Sequence, residues 1–203
     1  KVEMGEGRSF GLEMMVQKTL GKTTGWLAYT LAKTDHRFKD GAISQGKWFP
    51  YKYDRRHTIS LCLNHKFSER IDVGASWIFN TGGCITVPER ETIIIRPEGN
   101  IESAPYISRR NNYRLPASHR LNLGINFNKK TKHGMRTWNI SLYNAYNAMN
   151  PTLVYSNGSG GYATYIKNQE NGKVYYQYIP GKRKITKLTI LPCIPSVTYT
   201  YKF

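Results

Sequence analysis

The segment Pro195-Ser196-Val197-Thr198-Tyr199-Thr200-Tyr201-Lys202-Phe203 decides how the chain is read. Strand side chains alternate between two faces, so Val197, Tyr199, Tyr201 and Phe203 share one side and Ser196, Thr198, Thr200 and Lys202 the other. The segment ends on an aromatic with no polar tail after it. A soluble sheet rarely leaves such a residue exposed. The last strand of a membrane β-barrel turns its apolar side to lipid and its aromatics to the interfacial girdle. Tyr199, Tyr201 and Phe203 therefore read as a membrane-assembly signal, and the segments upstream should carry the same two-sided pattern.

They do. Alternation predicts strands over 8–18, 24–33, 56–67, 71–80, 120–128 and 137–146, before the last one at 195–203. The clearest sets Ile59, Leu61, Leu63 and Phe67 against Thr58, Ser60, Cys62, Asn64 and Lys66. Another sets Leu121, Leu123, Ile125 and Phe127 against Arg120, Asn122, Asn126 and Asn128. No segment sustains a helical period. The connections alternate between short (19–23, 68–70, 129–133) and long (34–53, 82–118, 150–184). Outer-membrane barrels have that asymmetry, with short periplasmic turns and long extracellular loops. The third long connection is expected to hold a hairpin around Gly181, and Gly158-Ser159-Gly160-Gly161 reads as a loop tip.

The expected fold is thus all-β: about seven antiparallel transmembrane strands of a larger barrel. Seven strands do not close a bacterial barrel of even strand number, and open edges in lipid leave backbone groups unsatisfied. Further strands are expected upstream or from another chain. The opposing rows (Glu13, Gln17, Arg56, Asn64, Asp72, Asn80, Arg120, Asn122, Asn126, Asn128, Asn139) are too polar for a dry core and suit a wet lumen or a polar plug. Lys1 is not an initiator Met and no signal sequence follows, so the 203 residues are read as one C-terminal portion of a longer, exported protein.

Composition narrows the classes. Lys and Arg number 30 against 13 acids, a formal charge of +17. The excess lies in turns and loops (Lys129, Lys130, Lys132; Arg109, Arg110, Arg114; Lys182, Arg183, Lys184). That placement argues against nucleic acid and suits polyanionic outer-leaflet lipopolysaccharide. No run of 18 apolar residues marks a transmembrane helix. Three widely spaced cysteines, Cys62, Cys84 and Cys193, form neither a disulfide framework nor a zinc pattern. No catalytic constellation, metal set or cofactor motif is found, so no enzymatic activity is expected. Gly21-Lys22-Thr23 lacks the rest of a phosphate loop. His57 and His65 lie about 27 Å apart along one strand at ~3.4 Å per residue and cannot share a metal.

Several stretches, in order, carry a resemblance: Gly25-Trp26-Leu27-Ala28-Tyr29-Thr30-Leu31, Gly46-Lys47-Trp48-Phe49-Pro50, Tyr53-Asp54-Arg55-Arg56-His57, Tyr113-Arg114-Leu115-Pro116 with His119-Arg120-Leu121, Tyr143-Asn144-Ala145-Tyr146-Asn147 followed by Asn150-Pro151, and Leu191-Pro192-Cys193-Ile194-Pro195-Ser196. Together they span nearly the whole chain. The sequence resembles the C-terminal part of TonB-dependent outer-membrane receptors of the Bacteroidetes type. The resemblance implies a plugged 22-stranded barrel in the outer membrane of a Gram-negative bacterium. It implies import of a scarce extracellular ligand with energy delivered by the TonB complex through an N-terminal plug. The plug, the TonB box and the earlier strands lie outside the 203 residues. A surface lipoprotein is a partner of related receptors, and the sequence leaves its presence here open.

Two loop clusters are ligand candidates. Trp48 and Tyr51 stand among Phe49 and Tyr53; Arg109, Arg110, Tyr113 and Arg114 form a basic–aromatic group. Aromatic faces suit sugars and arginines suit carboxylates or phosphates. The same residues also suit loop packing and girdle anchoring. The Asp54–His57 group is expected to order the rim of its strand. The ligand stays open among siderophore, glycan, peptide and cobalamin. The alternative function is a soluble all-β carbohydrate-binding module, in which the Leu61/Leu63 and Leu121/Leu123 rows would form one dry core. A passive porin made by self-association is a third reading.

Overall fold

The computed structural model describes residues 4–41, 43–95, 101–151, 153–158, 162–167, 174–179 and 183–203. The chain is all-β with antiparallel sheets. In order the strands are β1 (Glu6–Lys18), β2 (Thr23–Arg37), β3 (Phe49–Pro50), β4 (His57–Lys66), β5 (Ile71–Asn80), β6 (Cys84–Ile85), β7 (Arg90–Ile95) and β8 (Ile101–Tyr106). They continue with β9 (Tyr113–Arg114), β10 (Ser118–Thr131), β11 (Gly134–Tyr143), β12 (Leu153–Gly158), β13 (Tyr162–Lys167), β14 (Val174–Ile179), β15 (Arg183–Leu188) and β16 (Ile194–Lys202). One 3-10 turn, Ser44–Gly46, lies between β2 and β3.

The main sheet runs β1-β2-β4-β5-β10-β11-β16, with β3 added to the end of β2. These seven long strands are the seven that alternation predicts. Among the described residues β1 and β16 do not pair with each other, so the sheet is open and no closed barrel forms.

Register sorts the side chains. One transverse row reads Val16, Leu27, Leu61, Trp77, Leu121. The next on the same face reads Leu63, Ala75, Leu123, Leu142, Pro195. Aromatics flank these rows at both ends. Tyr29 with His57, Trp77 with Phe79 and His119 with Tyr146 lie toward the long connections. His65 with Phe67, Trp138 with Tyr199 and Tyr201 with Phe203 lie toward the short turns. No second layer covers this face among the described residues. Val16 is 72% exposed and Val197 63%, and the buried apolar side chains among the described residues are Phe49 and Cys84, both in the connections.

The opposite face is a hydrogen-bonded polar ladder. Asp72 accepts from the side-chain amides of Asn126 (2.6 Å) and Asn128 (2.7 Å). Asn139 donates to Asn126 Oδ1 and Thr137 to Asn128 Oδ1, each at 2.7 Å. Asn122 donates to Ser76 Oγ at 3.0 Å. Such cross-strand pairs fix register as apolar contacts would in a core.

The long connections differ from the sequence reading, which gave them no strands beyond a hairpin around Gly181. β7 pairs with β8 and β6 with β9 inside 82–118. Gly82 permits the latter approach: a Cβ there would lie 2.0 Å from the Leu115 carbonyl oxygen. In the third connection β12 pairs with β15 and β13 with β14, and both pairs keep one register. Gly181 lies outside the described residues, as do Ser159, Gly160 and Gly161. The strands on either side of Gly181, β14 and β15, pair elsewhere and not with each other, which corrects the expected hairpin. The strand expected over 137–146 stops at Tyr143 because Asn144 takes a left-handed conformation (φ 54°).

Candidate ligand site at the loop end of the sheet

All long connections leave from one end of the main sheet, and two buried polar side chains tie them down. Asp54 is 2% exposed. Its Oδ1 accepts the Thr34 N–H of β2 at 2.7 Å, and its Oδ2 accepts from Arg56 Nε (3.1 Å) and from Arg114 Nη2. Arg114 Nη1 also donates to the carbonyls of Asp54 (2.6 Å) and Gly82 (2.8 Å). One carboxylate thus joins β2, the start of β4 and the 82–118 connection. Burial works to raise the pKa of Asp54; the bonds from Arg114, Thr34 and Arg56 outweigh it, and the carboxyl sits below the usual Asp value. Cys84, packed beside this knot, has its thiol pKa pushed up by burial.

Asn144 is the second tie and is 1% exposed. Its amide nitrogen donates to the carbonyls of Ala148 (3.0 Å) and Leu191 (3.1 Å), and its Oδ1 accepts the Ala148 N–H (2.8 Å). Asn147 Oδ1 accepts the Cys193 N–H at 3.0 Å. Asn150 brackets His119, accepting its N–H and donating to its carbonyl. The Tyr143–Asn147 and Asn150-Pro151 motifs therefore fasten the third connection and the entry to β16 onto β10. A cavity of about 360 Å³, lined by Arg120, Tyr143 and Asn144 among others, opens beside this knot on the polar face. Arg120 lies over the Tyr143 ring, its carbon 4.3 Å from the centroid.

A larger cavity of about 570 Å³ lies between the 3-10 turn and the base of the β7–β8 hairpin. Ser44, Gln45 and Lys47 form one side; Glu89, Ser108, Arg109, Asn112 and Tyr113 are among those forming the other. Glu89 Oε1 accepts from Ser108 Oγ and from Asn112 Nδ2 (2.9 Å). The Ser108 bond, then the Asn112 bond, lowers the Glu89 pKa, so this carboxylate is ionised at neutral pH.

Of the six loop residues singled out in the sequence, Arg109 and Tyr113 line this cavity and the others do not. Trp48 packs between the guanidinium carbons of Arg8 (4.3 Å) and Arg37 (4.7 Å). Tyr51 lies tilted against His36 and edge-to-face with Tyr53. Arg110 is exposed, and its backbone N–H binds Ser44 Oγ at 2.9 Å. Arg114 is consumed by the Asp54 knot, as its bonds above show. The sequence reading did not single out Lys47, Glu89 or Asn112. His57 and His65 sit at opposite ends of β4, bonded to Tyr29 (2.9 Å) and Thr23 (2.7 Å). Among the described residues no His, Cys, Asp and Glu group could hold a metal ion.

Comparison with protein-family models, with curated proteins and with solved structures finds no match to this chain.

Proposed function

We propose that this chain is part of an outer-membrane uptake receptor, its seven long strands forming one wall of a larger lipid-embedded β-barrel. The observation that carries the reading is the two-faced single-layer sheet. Its apolar rows lie open between two aromatic belts, and its other face is a hydrogen-bonded polar ladder. On β10 the belts stand at His119 and Phe127, about 27 Å apart along the strand at ~3.4 Å per residue. Tilted by about 40°, that spans about 21 Å, within a few ångströms of the ~25 Å apolar band of such barrels. In lipid the open edges of β1 and β16 require partner strands, supplied by the same protein or by another. The resemblance to TonB-dependent receptors supplies the rest: ligand captured at the loop end, a plug in the lumen, and import driven by the TonB complex. The alternative, a soluble carbohydrate-binding sandwich, needs the Leu61/Leu63 and Leu121/Leu123 rows packed face to face. These rows lie in one sheet, with no facing layer among the described residues.

The test is fractionation of the protein that carries this chain. Recovery in outer membranes with heat-modifiable electrophoretic migration is the expected result. A folded, water-soluble monomer would refute the reading.

A further inference from the structure

The charges around the larger loop cavity narrow what it can bind. The cations Arg8, Arg37, Arg56 and Arg114 are each matched to Asp35, Glu6 or Asp54. Lys47 and Arg109 face the cavity and make no ion pair among the described residues. The carboxylate that shares the lining, Glu89, already receives two hydrogen bonds on one oxygen. Two unmatched cations against one carboxylate in a concave wall leave a local positive potential at the opening. The remaining lining joins the polar Ser44, Gln45 and Ser108 to the apolar Val87 and Pro88 and to Tyr113, while Asn112 is spent on Val87 and Glu89. The lip is also held in an uncommon backbone state. Ser44 and Gln45 are consecutive non-glycine residues at φ 53° and 54°, a feature that concentrates at ligand clamps. A volume of about 570 Å³ suits a small molecule.

We propose that this cavity binds a ligand bearing a carboxylate or sulfate on a hydroxylated, sugar-like body. The anion is held by Lys47 and Arg109, away from Glu89. The hydroxyls meet Ser44 and Gln45, and the C–H face lies on the Val87, Pro88 and Tyr113 side of the wall. The proposal takes its biological direction, capture for uptake, from the receptor reading above; the binding itself does not depend on it.

The experiment is titration calorimetry on the protein carrying this chain, purified in detergent, with four probes: sodium glucuronate, glucose 6-sulfate, glucose and sodium citrate. Glucuronate and glucose 6-sulfate should bind; glucose should bind at least about tenfold more weakly, the scale of losing one charge-assisted contact, and citrate, which keeps the carboxylates but brings no hydroxylated ring, should also bind more weakly than glucuronate. Lys47→Ala and Arg109→Ala should each weaken glucuronate about tenfold or more. Arg110→Ala, which removes an equal charge beside the cavity, should not. Heat-modifiable migration checks that each variant is folded. Glucose binding as tightly as glucuronate would overturn the anion site, and citrate doing so would overturn the sugar-like body. Equal losses in Arg109→Ala and Arg110→Ala, or no binding by any probe, would overturn the cavity assignment. The two readings fail separately. An outer-membrane protein that binds none of the probes loses the cavity and keeps the receptor; a water-soluble protein that binds glucuronate does the reverse.

Discussion

Replacing Leu123 by Arg tests what wets the apolar face. Leu123 lies in β10, four residues from His119 and four from Phe127, so each aromatic belt is about 14 Å away along the strand. With a tilt near 40° that is about 10 Å along the membrane normal, beyond what an Arg stem covers by snorkelling. An Arg near the midplane of a barrel costs about 2–4 kcal/mol. At ~1.4 kcal/mol per decade this is a thirty- to nearly thousandfold loss in the folding equilibrium. Ser141→Arg is the matched control. Ser141 pairs with Gly124, one position from Leu123, and belongs to the polar face. An Arg there enters a hydrated, hydrogen-bonding surface, and the expected change is within about 0.5 kcal/mol. The assay is guanidinium unfolding of the protein in phospholipid vesicles, followed by tryptophan fluorescence. If water rather than lipid bathed this face, Leu123, already 38% exposed, would tolerate Arg as Ser141 does. Equal costs for the two variants, or a larger cost for Ser141→Arg, would refute the reasoning.

Other sites give further outcomes. Asp54→Asn removes the anion that matches Arg56 and Arg114, both about one-third exposed; a loss of about 2–3 kcal/mol is expected, below the ~3–5 for a fully buried pair, read from denaturant midpoints. Because the folded pKa of Asp54 is lowered, its stabilisation is complete above the ordinary Asp value near 4 and is lost as pH falls through the lower folded value. Pepsin cleavage within 82–118 should therefore rise in that acid range for the native protein and show no such step in Asp54→Asn. Asn144→Gly keeps the left-handed backbone and loses the side-chain bonds, costing about 1–3 kcal/mol; Asn144→Ala should cost about 1 kcal/mol more, measured the same way. Cys84, 2% exposed with a raised pKa, should alkylate far more slowly with iodoacetamide than Cys193, and a labelling order with Cys84 first would contradict the packing around Asp54.

The main strands were legible because each carries one apolar and one polar row, and a period of two survives dilution by charge. Strand ends were legible only while one row stayed apolar. β2 runs on to Arg37, past the predicted end at Lys33, because Glu6 and Arg8 of β1 meet Arg37 and Asp35 as ion pairs. Pairing continues there while the apolar signal vanishes. The pairings in the long connections escaped because no apolar row is sustained through them, and the glycines and prolines around them read as loop; the one hairpin expected there, around Gly181, joined the wrong strands.

The site shows where a linear reading stops. Arg109, Arg110 and Arg114 lie within six residues, and composition treats them alike. Their roles are divided by partners that sequence distance conceals. Arg114 is taken by Asp54, sixty residues away; Arg110 lies off the cavity lining, its backbone N–H on Ser44; Arg109 stays unmatched on a wall shared with Lys47 from another connection. What separates a structural guanidinium from one free for a ligand is whether a buried carboxylate reaches it first. That follows from how β4 enters the sheet, so the choice among the three arginines is made by the main-sheet register, outside the loop that carries them.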